Sequence, residues 1–287
     1  METPPESTLE CAGRLSRMGI VADASGRAHY HLHLGNHSEP LNAWLGHDVA
    51  IEFAGSIVCV HCQRLTRKSF GQGYCYPCFK RLARCDTCMM APERCHYFQG
   101  TCREPEWGER HCFAPHVVYL ASSSGAKVGI TRPSQIPTRW LDQGAVQGLP
   151  ILSVASRRQS GMVESLFKSE ISDRTHWQRM LKGETSDVDL IALRDDLMTR
   201  LAPGLASLRA QFGEDNIRVH DEQHVARFHY PVLAWPDRVS AFNLDRTSRV
   251  EGRLMGMKGQ YLILDTGVIN LRKYTGYQVS LTLSARS

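Results

Sequence analysis

Apolar and polar positions alternate strictly along Ala28-His-Tyr-His-Leu-His-Leu34, which predicts a strand with one buried face. Val49-Ala-Ile-Glu-Phe53 alternates in the same way, and Gly13-Arg-Leu15 is a shorter β-like run. Turn signals at Asp23-Ala-Ser-Gly26, Gly35-Asn36 and Gly46-His47 separate these runs. Residues 1–57 therefore predict a small antiparallel β-unit whose first dozen residues are a disordered tail. His29, His31 and His33 share one strand face, and a solvated face is a simpler expectation for them than metal binding.

The same pattern returns at the C-terminus. Leu41-Asn-Ala-Trp44-Leu-Gly46-His-Asp-Val49-Ala-Ile51-Glu-Phe53 lines up without a gap on Leu271-Arg-Lys-Tyr274-Thr-Gly276-Tyr-Gln-Val279-Ser-Leu281-Thr-Leu283. Gly13-Arg-Leu15 matches Gly252-Arg-Leu254, and Tyr30 with Leu34 matches Tyr261 with Leu264 approximately. Residues 229–287 thus predict a second β-unit related to the first, with Trp44 and Tyr274 in equivalent half-buried places. Whether the two units pack together or stand apart is open at this level.

Between them the periodicity shifts. Val117-Val-Tyr-Leu-Ala121 and Lys127-Val-Gly-Ile-Thr131 predict two strands joined by a turn at Ser122-Ser-Ser-Gly125. Pro137-Thr-Arg-Trp-Leu-Asp-Gln143 predicts a short helix closed by Gly144, and residues 151–155 a third strand. A helix capped by Ser160 buries Met162, Val163, Leu166, Phe167 and Ile171, with Glu164 at the edge of that face. These elements make up residues 116–183. A helical segment, 184–228, follows; from Asp187 to Phe212 it carries an apolar stripe of Leu190, Leu193, Leu197 and Leu201, broken at Pro203-Gly204.

Nine of the ten cysteines fall in residues 58–115, and they change the picture most. Cys59-Val-His-Cys62 and Cys75-Tyr-Pro-Cys78 are two C-x2-C knuckles, each of which lets a tight turn present two thiolates to one tetrahedral ion. Together they predict one closed structural zinc site. Cys85 and Cys88 form a third knuckle, for which Cys95, Cys102 and Cys112 compete as partners, with His96 and His111 in reserve. About two zinc ions are expected, and spacing leaves open a cross-brace of the first knuckle with the third. A disulfide framework suits small secreted domains, but METPPESTLECAG has no secretory apolar region and no apolar run reaches membrane-spanning length. A cytoplasmic protein without a membrane partner is the expectation.

Charge refines this. The chain carries a net +5, spread unevenly: −4 over residues 1–55, +4 over 56–115, +3 over 116–174, −2 over 175–228 and +4 over 229–287. Thiolates around zinc would offset the excess in the cysteine-rich stretch, so a positive face would come from the residues after Cys112.

Residues 116–183 resemble the GIY-YIG endonuclease domain in its divergent form, where the second signature reads K-[IV]-G. Tyr119 stands at the tyrosine of the first signature, Lys127-Val128-Gly129 at the second, Arg139 at the helix arginine and Glu164 at the metal-binding glutamate. The resemblance implies a small α/β sandwich, nucleic-acid phosphate as ligand and Mg²⁺ at Glu164. The sequence departs from it at Lys127, and at 172–182, where Asp173, Arg174, Thr175 and His176 stand and no asparagine occurs. With Gly71-Gln-Gly-Tyr-Cys-Tyr-Pro-Cys78 and Gly100-Thr-Cys-Arg-Glu-Pro-Glu-Trp-Gly108, nearly the whole chain is similar to an uncharacterised prokaryotic family catalogued as domain of unknown function 2797. The expected class is α+β. The expected function is a zinc-binding, nucleic-acid-binding protein with a divergent nuclease-like domain; the alternatives are an active Mg²⁺-dependent endonuclease and a zinc-stabilised protein scaffold.

Overall fold

The computed structural model describes residues 8–172, 174–186 and 188–285. The N-terminal unit has five strands, β1 (Leu9–Arg14), β2 (Gly19–Ala22), β3 (Ala28–Leu34), β4 (His37–Pro40) and β5 (Asp48–Val58), with a 3-10 turn at Asn42–Trp44. The cysteine-rich stretch adds β6 (Leu65–Thr66), α1 (Tyr76–Arg81), four 3-10 turns and α2 (Pro105–Cys112). Next come β7 (His116–Ser122), β8 (Ala126–Thr131), α3 (Thr138–Asp142), β9 (Gln147–Val154) and α4 (Arg157–Phe167). These are followed by α5 (Trp177–Leu181), α6 (Leu190–Arg200), α7 (Ala202–Phe212), β10 (Ile217–Val219) and β11 (Ala226–Arg227). The C-terminal unit is β12 (Arg249–Lys258), β13 (Tyr261–Leu264), β14 (Gly267–Asn270), a 3-10 turn at Leu271–Tyr274 and β15 (Tyr277–Ser284).

The two terminal units share one antiparallel sheet, in the order β1-β15-β5-β12-β13-β14 with β6 on β5. The first strand of each unit pairs with the last strand of the other: Gly13 lies opposite Val279, and Gly252 opposite Val49. Gly276 donates its N–H to the Leu15 carbonyl at 2.9 Å, and Gly46 donates to the Leu254 carbonyl at 2.8 Å. An approximate two-fold axis therefore relates the repeats. The register of β3 on β4, Leu34 opposite His37, recurs in β13 on β14 as Leu264 opposite Gly267. This equates Tyr30 with Gln260, one residue before Tyr261. Trp44 and Tyr274 end the two 3-10 turns at 1% and 4% exposure, so both are buried where the sequence suggests half-buried. The sequence also places the first dozen residues in a tail; Leu9–Arg14 instead form a strand because β15 satisfies their backbone. Residues 1–7 lie outside the described residues.

On β3, Tyr30, Leu32 and Leu34 point into the core. His29 meets Asp23 at 3.1 Å, and the rings of His31 and His33 stack 6.5 Å apart on the other face.

The central sheet runs β10-β9-β7-β8, with β11 also on β9. Successive residues of β7 point to opposite faces. Val118 and Leu120 pack with Val163, Phe167, Leu197 and Leu205 of α4, α6 and α7. Tyr119 and Ala121 join Trp140, Leu141 and the core of the terminal units. The sheet is thus a middle layer, buried on both faces. Residues 184–228 belong to this layer: α6 and α7 cover it and β10 and β11 extend it. Those strands have three and two residues, too few to show alternation. Pro203 and Gly204 lie in the first turn of α7, where a missing N–H costs nothing, so α6 ends at Arg200 and a second helix begins. Ser156, not Ser160, caps α4; the Ser160 hydroxyl is buried and donates to the Arg157 carbonyl at 2.7 Å. Asp173 and Asp187 lie outside the described residues.

Candidate functional site

Tyr119 on β7 faces Gly129 on β8 directly. A Cβ at Gly129 would stand 2.6 Å from both Cζ and the hydroxyl of Tyr119. The glycine of Lys127-Val-Gly129 therefore exists to let the tyrosine ring lie across the neighbouring strand. Beside it, Lys127 pairs with Ala121 in the ladder and reaches the same space. The Tyr119 hydroxyl donates to Gln143 Oε1 at 3.0 Å, and Lys127 Nζ donates to that same oxygen at 3.0 Å and to Thr175 Oγ1 at 2.6 Å. Gln143, just past α3, thus brings a carboxamide between the two groups, a role its place after the short helix did not advertise.

Tyr119, Lys127, Arg139 and Glu164 line one cavity of about 760 Å³. Arg139 comes from α3 and Glu164 from α4, where Lys168 one turn on pairs with it at 3.2 Å. Burial pushes the Tyr119 phenol up; the Arg139 guanidinium pulls it down and the Glu164 carboxylate adds a little upward push. Tyr119 is therefore an O–H donor around neutrality. Among the described residues, the lining also holds Arg17, Arg132, Arg157, Lys168, Arg174 and Arg272, which with Lys127 and Arg139 make eight cations. The lining carboxylates are Glu164 and Asp142. Asp142 is held by Arg17 at 2.7 Å and by Gln260 at 2.9 Å, so it is already committed. Arg17 and Arg272 come from the two β-units, which sequence reasoning does not connect to this site.

The first cysteine site is compact. The sulfurs of Cys59, Cys62, Cys75 and Cys78 all lie within 4.8 Å of one another, and Cys62 and Cys75 are 3.7 Å apart. Tetrahedral zinc with sulfur at about 2.3 Å needs sulfurs about 3.8 Å apart, so the donor set fits. Cys59 follows β5, and Cys75 begins α1, which carries Cys78. Burial opposes ionisation of Cys59, but N–H groups of Cys62, Cys75 and His61 outweigh it and bring the thiol down to about 6. Cys78 is pushed up to about 12 by burial and by its neighbouring thiols. One thiol of the set is thus ready to ionise first.

The third knuckle is split. The first knuckle gathers with the second, not crosswise with the third. Cys85 packs against the Cys59–Cys75–Cys78 cluster and Leu82, whereas Cys88, Cys95 and Cys112 line a different cavity of about 340 Å³. His96 is engaged by Thr101 at 2.8 Å and Asp86 at 3.4 Å, and His111 stacks on Trp107. Asp86, Cys88 and His96 place ligand atoms within 4.8 Å of one another, but Asp86 also accepts from Arg103 at 2.8 Å. Neither close group of ligand atoms among the described residues includes Glu164.

The family model for proteins of unknown function, DUF2797, matches residues 46–279. The chain belongs to the DUF2797 family. No curated protein and no solved structure matches it. The DUF2797 match takes in all nine clustered cysteines, the four cleft residues and the repeat from Gly46 to Val279. It begins after β4, so the three-stranded sheet β2-β3-β4 and Arg17 lie before the matched stretch. No helix among the described residues is long and apolar enough to cross a membrane.

Proposed function

We propose that this protein binds nucleic-acid phosphates in the cleft formed by Tyr119, Lys127, Arg139 and Glu164, with zinc on Cys59, Cys62, Cys75 and Cys78 holding the cysteine module in shape. The observation that carries the reading is the charge of the cleft: eight cationic side chains against two carboxylates, each already paired with a cation of the lining, around about 760 Å³. Low-dielectric walls strengthen such a field, and a phosphodiester chain is the biological polyanion that matches it. Arg139 and Lys127 would take phosphate oxygens, and Gln143 and Tyr119 would fix Lys127 in place. The GIY-YIG-like order of strand, turn, strand and helix supports the same ligand class.

Glu164 in the same cleft favours a second reading, Mg²⁺-dependent phosphodiester cleavage. There Glu164 would hold the metal, Arg139 would stabilise charge on phosphate and Tyr119 would orient the attacking water. The raised phenol favours orienting over proton abstraction, so binding is the primary reading. A shift assay with single- and double-stranded DNA and RNA, repeated across a salt series with and without Mg²⁺, tests both. Salt-sensitive retention with unchanged substrate length supports binding alone; shortened substrate only with Mg²⁺ supports cleavage. Salt-independent or absent binding to all four overturns the reading.

A further inference from the structure

The five cysteines after the first site do not share one environment. Cys85 packs with the first site's thiols, and among the described residues the other four do not. Cys88, Cys95 and Cys112 line the 340 Å³ cavity between the cysteine module and α4. Cys102, three residues ahead of α2, packs against that helix: its sulfur is 3.5 Å from where a Cβ on Gly108 would be. Gly108 and Cys112 are four residues apart on α2, hence on one face.

These four thiols differ from the first site in two ways. They include no C-x2-C knuckle, since six residues separate Cys88 from Cys95 and Cys95 from Cys102, and nine separate Cys102 from Cys112. They also stand wider: the four sulfurs of the first site fall within 4.8 Å of one another, and Cys95, Cys102 and Cys112 form no such group among the described residues. A single tetrahedral ion needs the tight spacing; a cluster with its own bridging sulfides needs thiolates set apart around an enclosed volume.

The cavity wall supplies what an anionic cluster requires. Arg157 and Arg158 line it beside Pro92, Phe98 and Phe113. Their Nε atoms are buried donors without a hydrogen-bond partner in the structure, although Arg157 Nη2 donates to the Met89 carbonyl at 2.7 Å. Buried N–H groups left unmatched cost free energy, and N–H donors directed at sulfur stabilise clusters.

We propose that Cys88, Cys95, Cys102 and Cys112 ligate an iron–sulfur cluster, and that Cys85 is not among its ligands. The cluster would fasten the module to α4, whose Gly161 lies against Pro92 and Glu93 so closely that a Cβ would meet backbone at 2.6 Å. Arg157 lines both the cluster cavity and the cationic cleft, so the centre would also brace one wall of that cleft. The proposal does not depend on what the cleft binds.

The test is metal and acid-labile sulfide analysis of the full chain purified without oxygen. The expected result is iron and sulfide in equal amounts, with visible absorption, beside about one zinc. Cys112→Ser should lose the iron, sulfide and absorption and keep the zinc, whereas Cys85→Ser should keep all of them. Zinc at both sites, the absence of iron from the wild type, or equal loss of iron in Cys85→Ser would overturn the proposal. If Cys112→Ser is insoluble, the wild-type content still decides the kind of centre and Cys85→Ser the ligand set.

Discussion

Ile51 and Leu281 lie directly opposite each other where β5 pairs with β15, and they are the same position of the two sequence repeats. The flanking pairs, Phe53 with Val279 and Val49 with Leu283, exchange repeat positions about this point, so the internal two-fold axis passes through the Ile51–Leu281 pair. Each residue is 1% exposed. The joint between the two units is therefore a core contact, and the cysteine module and central layer form an insertion between its halves.

That position makes the pair a test of the repeat. Ile51→Ala and Leu281→Ala should each lower unfolding free energy by about 2–5 kcal/mol, measured by urea titration. Because the side chains share one contact region, the double variant should lose less than the sum of the singles. Strict additivity would show that the pair is not a shared joint.

Gly129→Ala tests the close approach on which the cleft is built. The added Cβ meets the Tyr119 ring at 2.6 Å, so thermal or urea unfolding should report a loss of about 1–3 kcal/mol. Trimming the ring as well, in Gly129→Ala with Tyr119→Leu, should cost less than the two single changes combined. An unaltered stability in Gly129→Ala would mean that the two strands separate more easily than the ladder suggests.

Removing one first-site ligand should be severe. A structural zinc carries apparent folding energy of about 10–16 kcal/mol, so Cys75→Ala should lose its zinc and accumulate as insoluble or unfolded protein. A soluble Cys75→Ala protein with wild-type circular dichroism and no bound zinc would show that the site does not hold the fold.

Arg139→Ala should weaken nucleic-acid binding by a similar factor for every sequence and reduce the slope of log affinity against log salt by about 1, as one lost phosphate contact would. Fluorescence anisotropy at four or five salt concentrations measures both quantities. A change of affinity with an unchanged slope would argue that Arg139 supports the cleft without touching phosphate.

Lys258 gives a pH signature. Burial lowers its ammonium from 10.5 to about 8, while the faces of Tyr230 and Trp235 lie 5.6 and 5.2 Å from it. Between pH 8 and about 10.4 the unfolded chain holds the proton that the folded chain has released, so stability contributed by this group rises with pH across that window. Below pH 8 both states are protonated and the full desolvation cost remains, up to about 3 kcal/mol before the two rings offset part of it. Lys258→Met should therefore be the more stable protein at pH 7, and its advantage should shrink towards pH 10.5 in chemical denaturation. A constant gap across that range would rule out the buried cation as its source.

How much of this was legible in the sequence depends on how far apart the deciding residues lie. Alternation in Ala28–Leu34 needs only the two-residue period of a strand, and the burial of Tyr30, Leu32 and Leu34 follows it. The Cys59 and Cys75 knuckles need only a tight turn, and the ungapped match of 41–53 on 271–283 needs only comparison of the chain with itself. Those readings concern neighbours. The first strand reads as a tail because Leu9–Arg14 acquire their reason to be a strand from β15, at the other end of the chain.

The sequence by itself determined the repeat, the first thiolate site and the run of strand, turn, strand and helix that carries Tyr119, Lys127, Arg139 and Glu164. Tertiary structure alone decided that the repeats interlock, that Cys85 parts from Cys88, and that Arg17, Arg157, Arg174 and Arg272 meet around Tyr119. The physical reason is the range of the forces involved. Periodicity, turn geometry and ligand spacing act through a few bonds, whereas a cleft or a shared joint exists only after separate segments have buried their apolar faces against one another.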